Sequence, residues 1–464
     1  MLSYFRINDP YRLIGLLVLL SLLSLPIFID TPGLTHPELK SFVVGEKVNE
    51  GNGLYTELLD STPPLASWLY GACNWIFGRS LTARHILAFL ILFTQSAFLG
   101  IMFIDKKVFA ENTYIPALLF SLLAFISFDS LALTSDLFAF GFILLALNNL
   151  FKEIEFRIQR DEIIFNLGLF ISLASLFNFS YAVYLPGAML ALAFFTRSSL
   201  RKYLLLLFGF LLPHLLFICA WYLNGNLPSL WFNFYVPNLG FASPSLVSAL
   251  SLLSLCAMPL VYLFLSLFIL NRDARLTKYQ SQIFQAMFLW FVIAFVQVAL
   301  TPDRRPQSLI SLIPSVSFFL THFLLLIRRR KFAEMNLLVL MIGIVTVAYL
   351  SRYNKIDRIR YDRLFVKQET SAIKNKRILV LDDKPEMFVK NQLATSFYNW
   401  DLTKPIFEGP DYYENVLMVN RSMKNDLPEV IIDPNNLMKA FFARLPEIKS
   451  KYKKSPEGYV LIKK

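Results

Sequence analysis

Four places in the chain hold residue types that could do chemistry. Glu38 and Asp60 lie in a polar stretch, 30–85, and Asp136 opens an apolar segment. Arg304 and Arg305 stand side by side in TPDRRPQ, directly before another apolar segment. Two adjacent guanidiniums offer fork-shaped donors that match the paired oxygens of a phosphate or pyrophosphate headgroup. A carboxylate can deprotonate an acceptor, or hold a divalent cation, while basic groups stabilise a phosphate leaving group. Acidic residues and a phosphate-binding turn on one side of a membrane therefore suit transfer of a group from a lipid phosphate. Each residue also has a plainer reading. Charged loops are commonly just solvated, and arginines snorkel to ordinary phospholipid phosphates. Asp60 before Pro63-Pro64 can cap the helix that follows, and Asp136, although a functional candidate at the start of a span, can cap its own. His36 reads as a loop histidine.

Most of what must position these groups is membrane-spanning. The 464 residues are 56% hydrophobic and 17% charged, with 45 Phe and a mean hydropathy of +0.51. Apolar runs of span length, roughly 17–25 residues, recur as far as residue 350. The candidate spans are 13–29, 86–104, 113–128, 132–151, 163–179, 181–196, 202–222, 246–270, 281–300, 308–327 and 335–350. The fold class is thus a polytopic α-helical membrane protein of about eleven transmembrane helices. Segment 13–29 lacks a small-x-small cleavage site and is expected to stay uncleaved.

Charge orients the chain. Lys106-Lys107, Lys152/Arg157/Arg160, Arg197/Arg201/Lys202, Arg272/Arg275/Lys278 and Arg328-Arg329-Arg330-Lys331 fall in alternate connections, on the side of Arg6 and Arg12. The positive-inside rule makes that side cytoplasmic. Much of the net charge of +12 sits there and the rest in the tail, so it does not signal nucleic acid. The N-terminus is then cytoplasmic and the C-terminus outside, together with the 30–85 loop, the 129–136 connection, the aromatic 223–245 loop and TPDRRPQ. Three scattered cysteines imply neither a disulfide framework nor a metal site.

The 30–85 loop is far longer than a connector needs, which marks it as functional. Within it, PPLASWLYGACNWIFG has helical period, opens on Pro and closes on Gly, and is expected to lie on the membrane surface. The tail, 352–464, reads as a separate α/β domain after the membrane domain, 1–351. Strands are expected at RILVLDD, PEVIIDP and GYVLIKK, a helix followed by an aromatic-rich turn over PEMFVKNQLATSFYNWDL, and a helix at MKAFFARLPEIKSKY.

The loop resembles the first periplasmic loop of the GT-C glycosyltransferases, which include the protein O-mannosyltransferases and the lipid A aminoarabinose transferases. Glu38, Gly53/Tyr55, Asp60, Pro63-Pro64-Leu65, Phe77-Gly78 and Ala83-Arg84 stand in the places of that loop's motifs. LALTSDLFAFGFILLAL with Asp136, TPDRRPQSLISLIPSVSFFL, and the tail with ATSFYNW and LPEVIID are similar to later parts of the superfamily's chain. Where the family has Asp-Glu, this chain reads Pro37-Glu38.

The resemblance implies a polyprenyl-phosphate-sugar-dependent glycosyltransferase of inverting type, acting at the periplasmic face of a bacterial inner membrane. Glu38 is implied as base or as ligand to a divalent cation (Mg or Mn), assisted by Asp60 or Asp136, with Arg304 and Arg305 on the donor lipid phosphate. The acceptor would be a periplasmic glycan, lipid or protein. Two alternatives stand beside it. A catalytically inactive relative with a structural or assembly role is suggested by Pro37. A transporter is opposed by the scarcity of mid-span charges and of visible repeats.

Overall fold

The structure, a computed structural model, describes residues 1–155, 160–196, 199–240, 245–273, 276–367 and 373–462. Arg157, Arg197 and Arg275 of the basic loops lie outside them. The chain forms two compact units. One comprises Met1–Pro32, Ser80–Phe217 and Phe241–Leu364; the other comprises Gly33–Arg79, Ile218–Gly240 and Phe365–Lys464. Sequence reading drew one boundary, at 351/352; the chain's own packing groups the first loop and the 218–240 stretch with the tail.

The first unit is helical, as apolar sequence in lipid requires, because only a helix or a closed barrel satisfies the backbone internally there. All eleven candidate spans are helical in whole or part. Among the described residues seven helices are long and apolar enough to cross a membrane: Arg12–Ile29, Leu81–Asp105, Ser135–Glu155, Leu200–Leu223, Lys278–Leu300, Pro306–Leu326 and Arg330–Arg352. The pair Ala249–Leu255 and Ala257–Leu270, bent by 66° at Cys256, makes an eighth if it is one span. Three expected spans are shorter: Ile115–Ala124 has 10 residues, Asp161–Phe177 has 17, and Tyr184–Phe195 has 12 behind the turn Phe179–Val183. By length and composition, seven or eight of the described helices can cross a membrane, beside about eleven expected spans.

Helices Asp161–Phe177 and Leu200–Leu223 meet through glycine. A Cβ on Gly168 would fall 2.1 Å from the Leu206 carbonyl oxygen, and one on Gly209 would fall 2.2 Å from that of Phe165. Close approach through small residues is how apolar helices gain packing in a bilayer. Gly168→Leu is therefore expected to destabilise the protein by at least about 1–3 kcal/mol, the range for overpacking. Thermal unfolding in detergent reads it.

The second unit carries a mixed five-stranded sheet. Its strands are β1 (Arg377–Val380), β2 (Gln392–Leu393), β3 (Val430–Ile432), β4 (Tyr452–Ser455) and β5 (Gly458–Leu461), in the order β2-β1-β3-β5-β4. β1 runs parallel to β2 and β3, and β5 pairs antiparallel with β3 and β4. The three expected strands form. The helix expected at the start of PEMFVKNQLATSFYNWDL does not form: a 3-10 turn at Pro385–Val389 gives way to β2, and a helix starts at Trp400, within the expected aromatic-rich turn. Asn391 explains the break, since its side-chain amide donates to the carbonyls of Ile373 and Met387. The last expected helix is interrupted before Pro446, the position that disfavours helical backbone in its predecessor. Helix Tyr413–Asn425 was unforeseen; Val416, Val419 and Met423 bury one side of it in the core with Leu379, Phe407, Ile431 and Phe441. Leu59 of the first loop joins that core.

Candidate functional site

In the second unit, Glu38 sits in the first turn of helix His36–Asn49. Its Oε2 accepts from the Thr35 backbone N–H at 3.0 Å and from the Thr35 hydroxyl at 2.7 Å, closing a capping box that fixes the start of the helix. The side chain is buried. Among the described residues no three His, Cys, Asp or Glu side chains are grouped to hold a metal ion.

Asp60 is buried as well, and every contact that the structure gives it is internal. Oδ2 accepts from the Thr62 backbone N–H at 2.9 Å and from the Thr62 hydroxyl, which is the hydrogen bonding of an Asp that shapes a turn. Oδ1 lies 3.3 Å from Lys40 Nζ and accepts from Asn399 Nδ2 at 3.3 Å. Burial pushes the carboxyl up, but Lys40 and the Thr62 hydrogen bonds outweigh it and hold Asp60 below the usual carboxylate range. Pro63-Pro64 and helix Pro64–Phe77 follow directly. Nearby, Tyr55 adopts φ 67, stacks on Phe234 with centroids 5.8 Å apart and donates to the Thr62 carbonyl at 2.7 Å. Burial, then the charge of Asp60, pushes its hydroxyl well up.

The sign of the Asp60 shift fixes a pH effect. A folded carboxyl held below its unfolded value contributes stability in full above about pH 4, near the unperturbed carboxylate pKa. That stability is lost as the pH falls through the depressed folded value. Lys40→Met removes the main opposing charge and leaves burial. The acid unfolding of this unit is therefore expected to move to higher pH, which an acid titration followed by tryptophan fluorescence measures.

In the first unit, Asp136 and Arg305 come together. Arg305 donates from Nη2 to Asp136 Oδ2 in a charge-assisted hydrogen bond between side chains 0% and 6% exposed by residue. Asn178 donates to Asp136 Oδ1 at 2.5 Å. His214 and Ser175 share a hydrogen bond of 2.9 Å, and His322 packs on Phe109 and Phe318.

Arg304, the other half of the pair, differs. Its Nε is buried without a hydrogen-bond partner, and among the described residues it meets no carboxylate. It lines an apolar cavity of about 680 Å³ bounded by the bent helix pair, Lys278–Leu300 and the start of Ile313–Leu326. Leu253, Leu260, Phe264, Phe288 and Phe295 form much of the wall. Leu253, Phe264, Phe288 and Phe295 are also exposed, so the cavity opens outward from the bundle. A cation at an apolar cavity of this size suits a molecule with a long hydrocarbon tail and an anionic head.

Sequence reasoning put Arg304 and Arg305 in one role; the structure gives them two. It also missed Lys40, Asn399, Thr134 and Gln307, for which no local spacing offers a signal.

No family model matches the chain, and no curated protein matches it in sequence. Solved structures do. Over 97% of this chain and 98% of the other, the structure is similar to ArnT from Cupriavidus metallidurans bound to undecaprenyl phosphate, with a TM-score of 0.57 and 12% identity. ArnT from the same organism in the apo state gives 0.55 at 13% identity, over 86% and 88% of the two chains. At such identity the likeness is one of fold. This chain is a multi-pass membrane protein with the fold of ArnT.

Proposed function

We propose that the chain is a glycosyltransferase that moves a sugar from a polyprenyl-phosphate-linked donor to an acceptor at the periplasmic face of a bacterial inner membrane. The observation that carries this reading is Arg304, a cation with no carboxylate partner among the described residues, lining an apolar cavity of about 680 Å³. A polyprenyl tail matches the walls and a phosphate matches the guanidinium. The fold shared with ArnT, one structure of which holds undecaprenyl phosphate, supports the same donor class. The alternating basic loops support a cytoplasmic N-terminus and a periplasmic C-terminus.

In the reaction, an acceptor hydroxyl oxygen forms a bond to the anomeric carbon as the bond from that carbon to the donor phosphate oxygen breaks. The hydroxyl proton passes to a carboxylate base, the role that the sequence resemblance gives Glu38. The electron pair leaves on polyprenyl phosphate, whose charge Arg304 offsets. A single displacement of this kind inverts the anomeric centre. Asp60 serves this scheme as a support of the loop, since its oxygens are occupied by Thr62, Lys40 and Asn399.

One observation favours a second reading, a catalytically silent relative with an assembly role: Glu38 follows Pro37 where the family pairs two acids, and it is engaged in a capping box. Purified protein given labelled sugar on polyprenyl phosphate, with a panel of periplasmic acceptors, separates the two. The enzyme reading expects transfer that falls by about tenfold or more in Arg304→Gln, the worth of a charged hydrogen bond. Undecaprenyl phosphate bound with no donor turned over puts the silent relative first.

A further inference from the structure

We infer that Asp136 and Arg305 form a positioning pair whose task is to present Arg304 to the cavity, so that Asp136 acts as a fixed counter-ion and not as an acid or base. The inference rests on the reading of Arg304 as the phosphate contact.

The segment 301–307 has three anchors, one on each side of Arg304 and one beyond it. At its start, the Thr301 hydroxyl lies 3.1 Å from the Ser180 hydroxyl and accepts from Gln297 Nε2 at 2.9 Å. At its end, the Gln307 backbone N–H donates to Asp129 Oδ2 at 3.0 Å. The Gln307 side chain accepts from the Thr134 hydroxyl and donates to the Ala132 carbonyl, each at 2.6 Å. Between them, Arg305 is tied to Asp136, which Asn178 holds from its other oxygen. Asn178 is itself fixed, because its Oδ1 accepts from the Ser180 backbone N–H and hydroxyl. Arg304, next in the chain, has its carbonyl held by the Val247 N–H at 3.0 Å while its guanidinium lines the cavity.

Successive residues of an extended segment point to opposite sides. Arg305 has an extended backbone, φ −144 and ψ 167. With Arg305 anchored on Asp136, Arg304 before it is left to line the cavity. Neutralising Arg305 has a second consequence. Among the described residues Arg304 is then the one guanidinium of this segment without an ion pair, so an anionic headgroup is drawn to the cavity wall and not into the bundle.

The test is binding of undecaprenyl phosphate against undecaprenol by the full chain, in nanodiscs, for wild type, Arg304→Gln, Asp136→Asn and Asp136→Asn/Arg305→Gln. The ratio of the two affinities isolates the phosphate contact, which a general loss of packing would not change selectively. Wild type is expected to prefer the phosphate, and Arg304→Gln to lose that preference. Asp136→Asn should reduce it by about tenfold, the scale of a charge-assisted hydrogen bond. The double variant should restore most of it, because Asn and Gln can hydrogen-bond without a buried charge.

Wild type without preference overturns the phosphate reading of Arg304, and the proposed function with it. Preference that is unchanged in Asp136→Asn overturns the positioning pair and leaves that reading standing. So does a folded double variant without preference. If Asp136→Asn fails to fold, the double variant decides alone.

Discussion

Glu38→Gln is expected to reduce sugar transfer by about 10²- to 10⁴-fold, the usual worth of a general base, while the protein stays folded. The separation of activity from stability comes from the capping box. Thr35 donates its N–H and hydroxyl to the Glu38 side chain, and a glutamine carbonyl at the same position accepts both. What glutamine cannot do is take a proton from an acceptor hydroxyl. Glu38→Ala makes the complementary point, since it removes the cap and the base together and should cost about 0.5–2 kcal/mol of stability besides the activity. Transfer by both variants, beside their thermal unfolding, checks the pair of expectations. Full transfer by a folded Glu38→Gln would remove Glu38 from the chemistry.

Arg305→Leu carries the largest expected loss of stability, about 3–5 kcal/mol, because it leaves the charge of Asp136 without its buried partner. Asp136→Leu/Arg305→Leu should recover most of that loss, since replacing both members of a buried pair with apolar groups is often close to neutral. Arg304→Gln, one residue away, has no ion pair to break among the described residues and should leave stability within about 0.5 kcal/mol of wild type. Unfolding in a denaturing detergent, followed for all three, reads this contrast between neighbours. Comparable losses at 304 and 305 would contradict the two distinct environments.

The helices were legible because burial in lipid writes itself as long apolar runs, and each expected span contains helix. Their lengths were less legible. Ile115–Ala124 is apolar throughout but ends at Phe125, within a sequence that gives no polar stop signal. In the tail, the strands rich in Ile and Val were visible, whereas Gln392–Leu393 is too short to carry an alternation. The chemistry-bearing residue types could be picked out, but not their partners. Asp136 and Arg305 are 169 positions apart, and Asp60 and Asn399 are 339 apart. No periodicity spans such distances. TPDRRPQ showed two equal cations, and only the surrounding packing pairs one of them with Asp136 and sets the other against an apolar cavity.

The second compact unit is assembled from pieces made at opposite ends of translation. Lys47, 2% exposed, lies 2.8 Å from Asp426, and the two are separated by 379 residues. The Leu59 N–H donates to the Ser396 carbonyl at 2.9 Å, so the first loop also completes its backbone pairing on the tail. At roughly 5–20 residues per second, a ribosome needs on the order of 20–80 s between making Lys47 and making Asp426. During that interval the loop has emerged with a lysine that has yet to meet this partner and with Leu59 uncovered. Quality control of this protein therefore bears on its first hundred residues until its last hundred arrive. A nascent chain stalled before Ser396 should expose the loop to proteases that the finished protein resists.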